Sequence, residues 1–329
     1  MNIRHSLSIL ALLLGTLSAQ AQGPNASGTY YAAADGKEGS ALKTALANII
    51  NPHTQRSYKQ LWTDLRSTDV RSDGKVWDMY SGITNFTFGT DQAGNYSKEG
   101  DVYNREHSFP KSWFSNGYPM YTDLNHIVPT DGYVNGMRSN YPFGETEGEK
   151  YQSSGGFSKL GTSTLSGYSG TVFEPNDEYK GDFARIYFYM VTCYESKVST
   201  WTSDMLSGDK YPALASWALD LLLRWAEEDP VSQKEIDRNA AVYSIQGNRN
   251  PFIDYPGLER YVWGDLTGTA FSYDQYEDPT PVQLPTVEEE LVDVYTATGM
   301  KVRSKVSRKQ ATQGLPHGLY IVGGRKVMR

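Results

Sequence analysis

A single cysteine, Cys193, occurs in 329 residues, although the chain opens like an exported protein. Residues 1–21 have the three parts of a secretory signal: Arg4 and His5, an apolar run from Leu7 to Leu17, and Ala19-Gln20-Ala21 as a small-residue cleavage site. Export permits disulfides, yet one thiol cannot form one within the chain, so the fold must be held by its core. Aromatic residues make up 13% of the chain, with 24 tyrosines and 7 tryptophans, enough for a large core in one main domain. Cys193 sits among aromatics and reads as a buried thiol rather than a nucleophile. The mature protein is expected to begin near Gln22. Its apolar run is shorter than the roughly 20 residues a membrane-spanning helix needs, and no later run is longer. A secreted or cell-surface protein without a membrane span is therefore expected, and a monomer.

The formal charge of −7 and a pI near 5.3 argue against a protein that coats nucleic acid through a broad basic surface. They leave room for an enzyme that grips one phosphate through a local cationic groove and a divalent ion, with modest and salt-sensitive affinity.

Periodicity predicts amphipathic helices over Gly39–Asn51, through Leu42, Leu46, Ile49 and Ile50, and over Tyr58–Leu65, with a strand at Lys75–Tyr80. Residues 153–170 are almost entirely Ser, Thr, Gly and Tyr, which suits an exposed loop or a weak hairpin. Helices are predicted over Phe183–Tyr194, Pro212–Glu228 and Val231–Ile245, with Asp229-Pro230 punctuating the last two. Glu227, Glu228 and Asp229 read as a solvated helix terminus. Residues 277–290, with Pro279, Pro281, Pro285 and a triple glutamate, have the composition of a stiff linker. Beyond it come short β-like runs at 291–295, 301–306 and 318–322.

Chemistry concentrates in Asn104-Arg105-Glu106-His107-Ser108-Phe109-Pro110, Asp123-Leu124-Asn125-His126-Ile127-Val128-Pro129 and Asn135-Gly136-Met137-Arg138-Ser139-Asn140. A carboxylate and carboxamides suit a hard cation such as Mg²⁺, and a neutral imidazole beside them can take a proton from water. That is the equipment of a metal-assisted phosphodiester hydrolase. Asp101–His107 and Asp123–Val128 read as two strands, and Pro129-Thr130-Asp131 as the start of a helix capped by Thr130 with Asp131 in its first turn. The order is strand, loop, strand, helix. Asn135 and Arg138, three apart, can project from one helix face, while Gly132 and Gly136 share another and imply close approach of the helix to the hairpin. Pro142 ends the helix, with Asn140 as its end cap. Neighbours on a regular strand point to opposite faces, so the strand must end, twist or bulge where Glu106 and His107 serve one site. Lys111 or Arg138 could neutralise a phosphate, arginine with the better bidentate grip.

These blocks resemble the bacterial endonuclease I family, secreted or periplasmic nucleases of the His-Me, or ββα-metal, finger superfamily. The likeness is strongest over Tyr103–Glu145 and continues through Phe173-Glu174-Pro175, Lys180-Gly181-Asp182, Glu227-Glu228-Asp229-Pro230 and the run Gln246-Gly247-Asn248-Arg249-Asn250-Pro251-Phe252-Ile253-Asp254. The resemblance implies an α+β fold, a ββα-metal finger embedded in a mostly helical domain. It implies His107 as general base and Glu106 and Asn135 as the protein ligands of one Mg²⁺ (Mn²⁺ or Ca²⁺ substituting); Arg138, read from its place on the helix, joins His107 in the expected catalytic set. It also implies cleavage of DNA, with RNA as a further substrate, to 5′-phosphate products with little base preference. Arg105, Lys111, Asn125, His126 and Arg249 are the candidate substrate contacts. Many family members carry histidine where this chain has Asn125, and disulfides that this chain cannot make.

Other readings stand beside these. Arg138 suits a salt bridge or a packing role in the helix, Arg249 a structural turn, and Asn125 with His126 the orientation of the hairpin or of His107. An extracellular ribonuclease would share the chemistry, whereas a non-catalytic module that binds glycans or peptides through its tyrosines would not. The tail, Val292-Asp293-Val294-Tyr295, Gly299-Met300-Lys301-Val302 and Leu315-Pro316-His317-Gly318-Leu319-Tyr320-Ile321-Val322, resembles the sorting tails of exported Bacteroidetes proteins that use type IX secretion. The expected organisation is a signal at 1–21, a catalytic domain at 22–276, a linker at 277–290 and a short β-rich tail at 291–329.

Overall fold

A computed structural model describes residues 22–92, 94–279, 291–307, 311–312, 315–316, 318–323 and 325–328; the expected signal, and all of the expected linker from 280 onward, lie outside the described residues. The chain divides into one compact unit up to Asp278 and a second from Pro279. Among the described residues, no helix is long and apolar enough to cross a membrane.

In the first unit, α1 (Gly39–Ile50) buries Leu42, Leu46 and Ile50 at a helical interval. Helix α2 (Leu61–Thr68) starts later than predicted. Ser57 and Gln60 satisfy each other's backbone N–H groups at 2.9 and 3.3 Å, which holds Tyr58–Gln60 as a turn. The strand predicted at Lys75–Tyr80 is absent. Val76 makes one bridge with Val70, and the Asp78 carboxylate then accepts the N–H groups of Tyr80 and Ser81, which turns the chain.

Next come β1 (Tyr103–His107) and β2 (Ile127–Asp131), an antiparallel pair in which Glu106 faces Val128 and His107 faces Ile127. The second strand begins past the predicted Asp123 because Asp123 Oδ1 accepts the Asn125 N–H at 2.9 Å and bends residues 123–126 into a turn. It then runs through Pro129, tolerated because both strands of a two-stranded pair are edges. Thr130 therefore lies in the strand. Asp131 is the cap of α3 (Gly132–Arg138), its Oδ1 accepting the Val134 N–H at 2.9 Å. The two glycines of α3 do allow a close approach, chiefly by Tyr96: a Cβ on Gly132 or on Gly136 would lie 2.9 Å from that side chain.

The serine-rich segment is more ordered than a loop or weak hairpin. β3 (Tyr151–Gln152), β4 (Lys159–Thr162) and β5 (Thr171–Glu174) form an antiparallel sheet anchored by buried Leu160, Val172 and Phe173. Helix α4 (Lys180–Cys193) is buried along its whole length and is the axis around which α1, α6 and α8 pack. It leads into α5 (Glu195–Val198), α6 (Ser216–Glu228), α7 (Gln233–Gln246), α8 (Pro251–Asp254) and α9 (Leu258–Val262). Helix α6 omits the predicted Pro212–Ala215, whose backbone pairs with Met205–Ser207 instead. Helix α7 is closed by a Ser232–Glu235 capping box and by Gly247 at φ 84°.

The second unit is a four-stranded antiparallel sheet of order β7-β6-β8-β9, from β6 (Leu291–Thr296), β7 (Lys301–Ser307), β8 (Leu319–Val322) and β9 (Arg325–Met328). Val292, Val294, Ala311, Tyr320 and Val322 form its small core. The fourth strand was not predicted; it is short and begins with two cations.

Candidate active site

Period-two geometry puts Asn104 and Glu106 on the same side of β1, and α3, which follows β2 without a break, lies across that side. Asn135 therefore meets both. Its Nδ2 donates to Asn104 Oδ1 at 2.6 Å, and its amide lies close enough to the Glu106 carboxyl to favour the charged form. Glu106 is buried, and its Oε1 accepts from Tyr80 Oη at 2.9 Å and Arg138 Nη1 at 2.8 Å. Burial pushes the Glu106 carboxyl above its ordinary pKa, opposed by Arg138 and Tyr80.

His107 is the last residue of β1, and the termination of the strand lets it border the same cleft as Glu106. Its Nε2 lies 3.1 Å from the Tyr121 carbonyl oxygen. A carbonyl only accepts, so Nε2 carries the proton and Nδ1 keeps its lone pair. Burial, then His126, Lys111 and Arg105, hold its pKa well below 6.5 against the opposing pull of the Tyr121 carbonyl. The ring stacks on Tyr121 at 4.9 Å and lies 5.6 Å from the ring of His126. The cleft, about 580 Å³, is also lined by Tyr58, Trp62, Arg105, Lys111, Ser139 and Asn140.

Arg105 is in the cleft wall, its guanidinium 3.6 Å from the centre of the Tyr58 ring and 4.0 Å from that of Trp62, donating to the Tyr58 carbonyl. Lys111 is exposed on the rim. Asn140 does not cap α3, whose end is Ser139 at φ 54°; it donates to Ser112 Oγ at 3.2 Å instead.

Four other expected residues lie away from the cleft. Arg138 is fully buried, and its guanidinium binds Glu106, the carbonyls of His107 (3.2 Å) and Ser108 (2.7 Å) and Tyr187 Oη (3.3 Å). It has no surface for a phosphate and is a salt-bridged support beneath the strand. Arg249 is likewise buried, paired through two nitrogens to Asp254 at 2.6 and 2.7 Å and bound to the Asn25 carbonyl. Asn125 and His126 belong to the turn before β2 and are buried, Asn125 against Asn248 and His126 Nε2 at 2.6 Å from the Met120 carbonyl. These three also cannot touch substrate as placed. Asn104 was not singled out, though its position two residues before Glu106 carried a period-two signal. Tyr80, from an irregular segment, and Tyr121, from the single 3₁₀ turn Met120–Thr122, carried none.

One further polar cluster lies elsewhere. Ligand atoms of His53, Asp123 and Cys193 fall within 4.8 Å of one another. Asp123, however, already accepts from Tyr189, Tyr194 and Gln246, each at 2.7 Å, and from the Asn125 N–H at 2.9 Å. Burial pushes the Cys193 thiol well above its ordinary pKa.

The model of the family described as Endonuclease I matches residues 38–257. The extracellular ribonuclease of Bacillus amyloliquefaciens is 36% identical over 255 residues, covering 71% of this chain and 78% of that one. That of Bacillus subtilis (strain 168) is 35% identical over 243 residues, with the same coverage. The periplasmic deoxyribonuclease of Aeromonas hydrophila is 29% identical over 136 residues, 41% of this chain and 48% of that one. A family match across most of the first unit, centred on a cleft of acid, amides and neutral imidazole, leads to one conclusion: the chain is a nucleic-acid-hydrolysing enzyme that belongs to the endonuclease I family.

Proposed function

We propose that the exported protein is a Mg²⁺-dependent, base-nonspecific endonuclease acting on DNA and RNA, with β1, β2 and α3 as a ββα-metal finger, Glu106 and Asn135 as ion ligands and His107 as general base. The observation that carries this reading is the meeting of Asn104, Glu106 and Asn135 beside an imidazole with a free lone pair. The donor set fits the ion: carboxylate and carboxamide oxygens suit a hard cation, and a half-turn of the Asn135 amide exchanges Nδ2 for Oδ1 beside Asn104 Oδ1. Bound there, Mg²⁺ would stabilise charge on a phosphate oxygen and on the departing 3′ oxygen.

The chain's own residues supply the rest. Tyr80 and Arg138 fix Glu106 through Oε1, and the Tyr121 carbonyl fixes the tautomer of His107. Nδ1 then takes a proton as a water oxygen bonds to phosphorus and the bond to the 3′ oxygen breaks; that oxygen takes a proton from solvent and leaves a 5′-phosphate. Lys111 is placed to meet a neighbouring phosphate. The greater coverage of the two relatives named ribonucleases supports RNA as a substrate alongside DNA.

Supercoiled plasmid and ribosomal RNA, each incubated with Mg²⁺ or with chelator, test the reading. Cleavage of both with Mg²⁺ and of neither with chelator is expected. Undiminished cutting in chelator would overturn the metal assignment.

A further inference from the structure

Resting on the ion-ligand reading of Asn135 above, we propose that Tyr96 is a positioning residue for the reaction: its ring, seated across Gly132 and Gly136, holds α3 in place and so keeps Asn135 beside Glu106. The ring reaches both glycines. A Cβ on Gly132 would lie 2.9 Å from Tyr96 Cδ1 and 3.2 Å from Cε1, and one on Gly136 would lie 2.9 Å from Oη and 3.4 Å from Cε2. The side-chain atoms nearest to either position all belong to Tyr96. Two glycines four apart thus form one track along the helix, and the ring lies on it. Asn135 immediately precedes the second of them.

The helix needs that support. Seven residues are too few to hold a helix by backbone bonds alone, and two glycines weaken it further. Val134 and Arg138 anchor α3 through full burial, whereas Asn135 is only half-buried and depends on how the helix sits. The segment that carries Tyr96 is fastened to the helix start. Asp131 caps α3 through Oδ1 and accepts the Gly100 N–H at 2.6 Å through Oδ2, and the Gly132 N–H donates to the Val102 carbonyl at 2.8 Å. Asp101 accepts the N–H groups of Ser97 at 2.8 Å and Lys98 at 3.1 Å, which fixes the turn that follows the ring. Tyr96 itself is 40% exposed, so its removal spares the core.

Mn²⁺ binding by the full chain without nucleic acid, read from the EPR signal of the free ion, tests this alongside the Mg²⁺ concentration that gives half-maximal plasmid cleavage. Tyr96→Ala should weaken Mn²⁺ binding roughly ten- to a hundredfold and raise the Mg²⁺ requirement by the same factor, with cleavage recovering at high Mg²⁺. Tyr96→Phe keeps the ring and should bind Mn²⁺ as the wild type does. Gly136→Ala separates positioning from stability. Alanine favours the helix, yet its Cβ would displace the ring, so the melting temperature should hold or rise while Mn²⁺ binding weakens. Adding Tyr96→Phe to Gly136→Ala removes Oη, leaves the nearest ring carbons at 3.4 and 3.5 Å, and should restore binding. Unchanged Mn²⁺ affinity in Tyr96→Ala or in Gly136→Ala, each shown folded by its thermal melt, would overturn the proposal and leave the ion site standing. A wild type that binds no Mn²⁺ would overturn both.

Discussion

Two buried carboxyls in this molecule, Glu106 and Asp123, have opposite fates. Asp123 receives four donors from Tyr189, Tyr194, Gln246 and the Asn125 backbone. Burial acts to raise its pKa, but His53, His126 and those donors leave it below 3.8. Glu106 is pushed the other way, because burial exceeds what Arg138 and Tyr80 return. It also borders an open cleft that Asn135 and His107 line as well. The lesson is that nearness of His, Asp and Cys does not by itself make a reactive site. A carboxylate already matched by protein donors is structural, and capacity for chemistry remains where matching is incomplete beside an opening.

The comparison can be broken at either end. The largest effect is expected at the cleft. His107→Ala should lower kcat/KM on plasmid by about 10²–10⁴-fold with an unchanged melting temperature, and a fully active variant would remove the imidazole from the mechanism. Arg138→Met comes next. It leaves Glu106 buried without its ion partner, so urea titration should show a loss of about 3–5 kcal/mol; a fully stable variant with a raised KM would restore Arg138 as a phosphate contact. Asp123→Asn is expected to cost about 1–3 kcal/mol while kcat/KM per folded molecule stays the same, and a specific loss of activity would sink its structural role. The smallest effect is one of pH. Because the folded pKa of Asp123 lies below its ordinary 3.8, its contribution is present above that pH and is lost as pH falls through the folded value. The stability gap between wild type and Asp123→Asn should therefore narrow in acid, whereas a gap that widens would reverse the sign argued here.

Much of the site was legible because its signals are local. The alternation of Asn104 and Glu106, the placement of Asn135 one turn into a helix, and the two glycines of α3 follow from strand and helix periods. Arg138 shows where periodicity ends. A three-residue step leaves two helical side chains about 60° apart, so sharing a face allowed Asn135 to look into the cleft and Arg138 to pass beneath β1. Arg249 failed as a substrate contact for a related reason: its partner Asp254 lies only one short helix away, but the burial of the pair depends on packing against residues 25 and 31 at the other end of the chain. The second strand was misplaced because Asp123 reads equally well as a strand residue or as the start of a turn, and its tyrosine partners, Tyr189 on α4 and Tyr194 just past its end, are remote in sequence.

By itself, the sequence settled that no internal disulfide holds this protein, that an aromatic core must, and that an acid, an amide and an imidazole would lie on one strand–strand–helix unit. These follow from composition and from periods within a few residues. Only the tertiary structure decided which charged groups meet solvent and which support the strand, that Tyr80 and Tyr121 orient Glu106 and His107, and that aromatic rings flank the cleft. Those outcomes depend on desolvation and on contacts between distant segments, and neither is a property of local spacing.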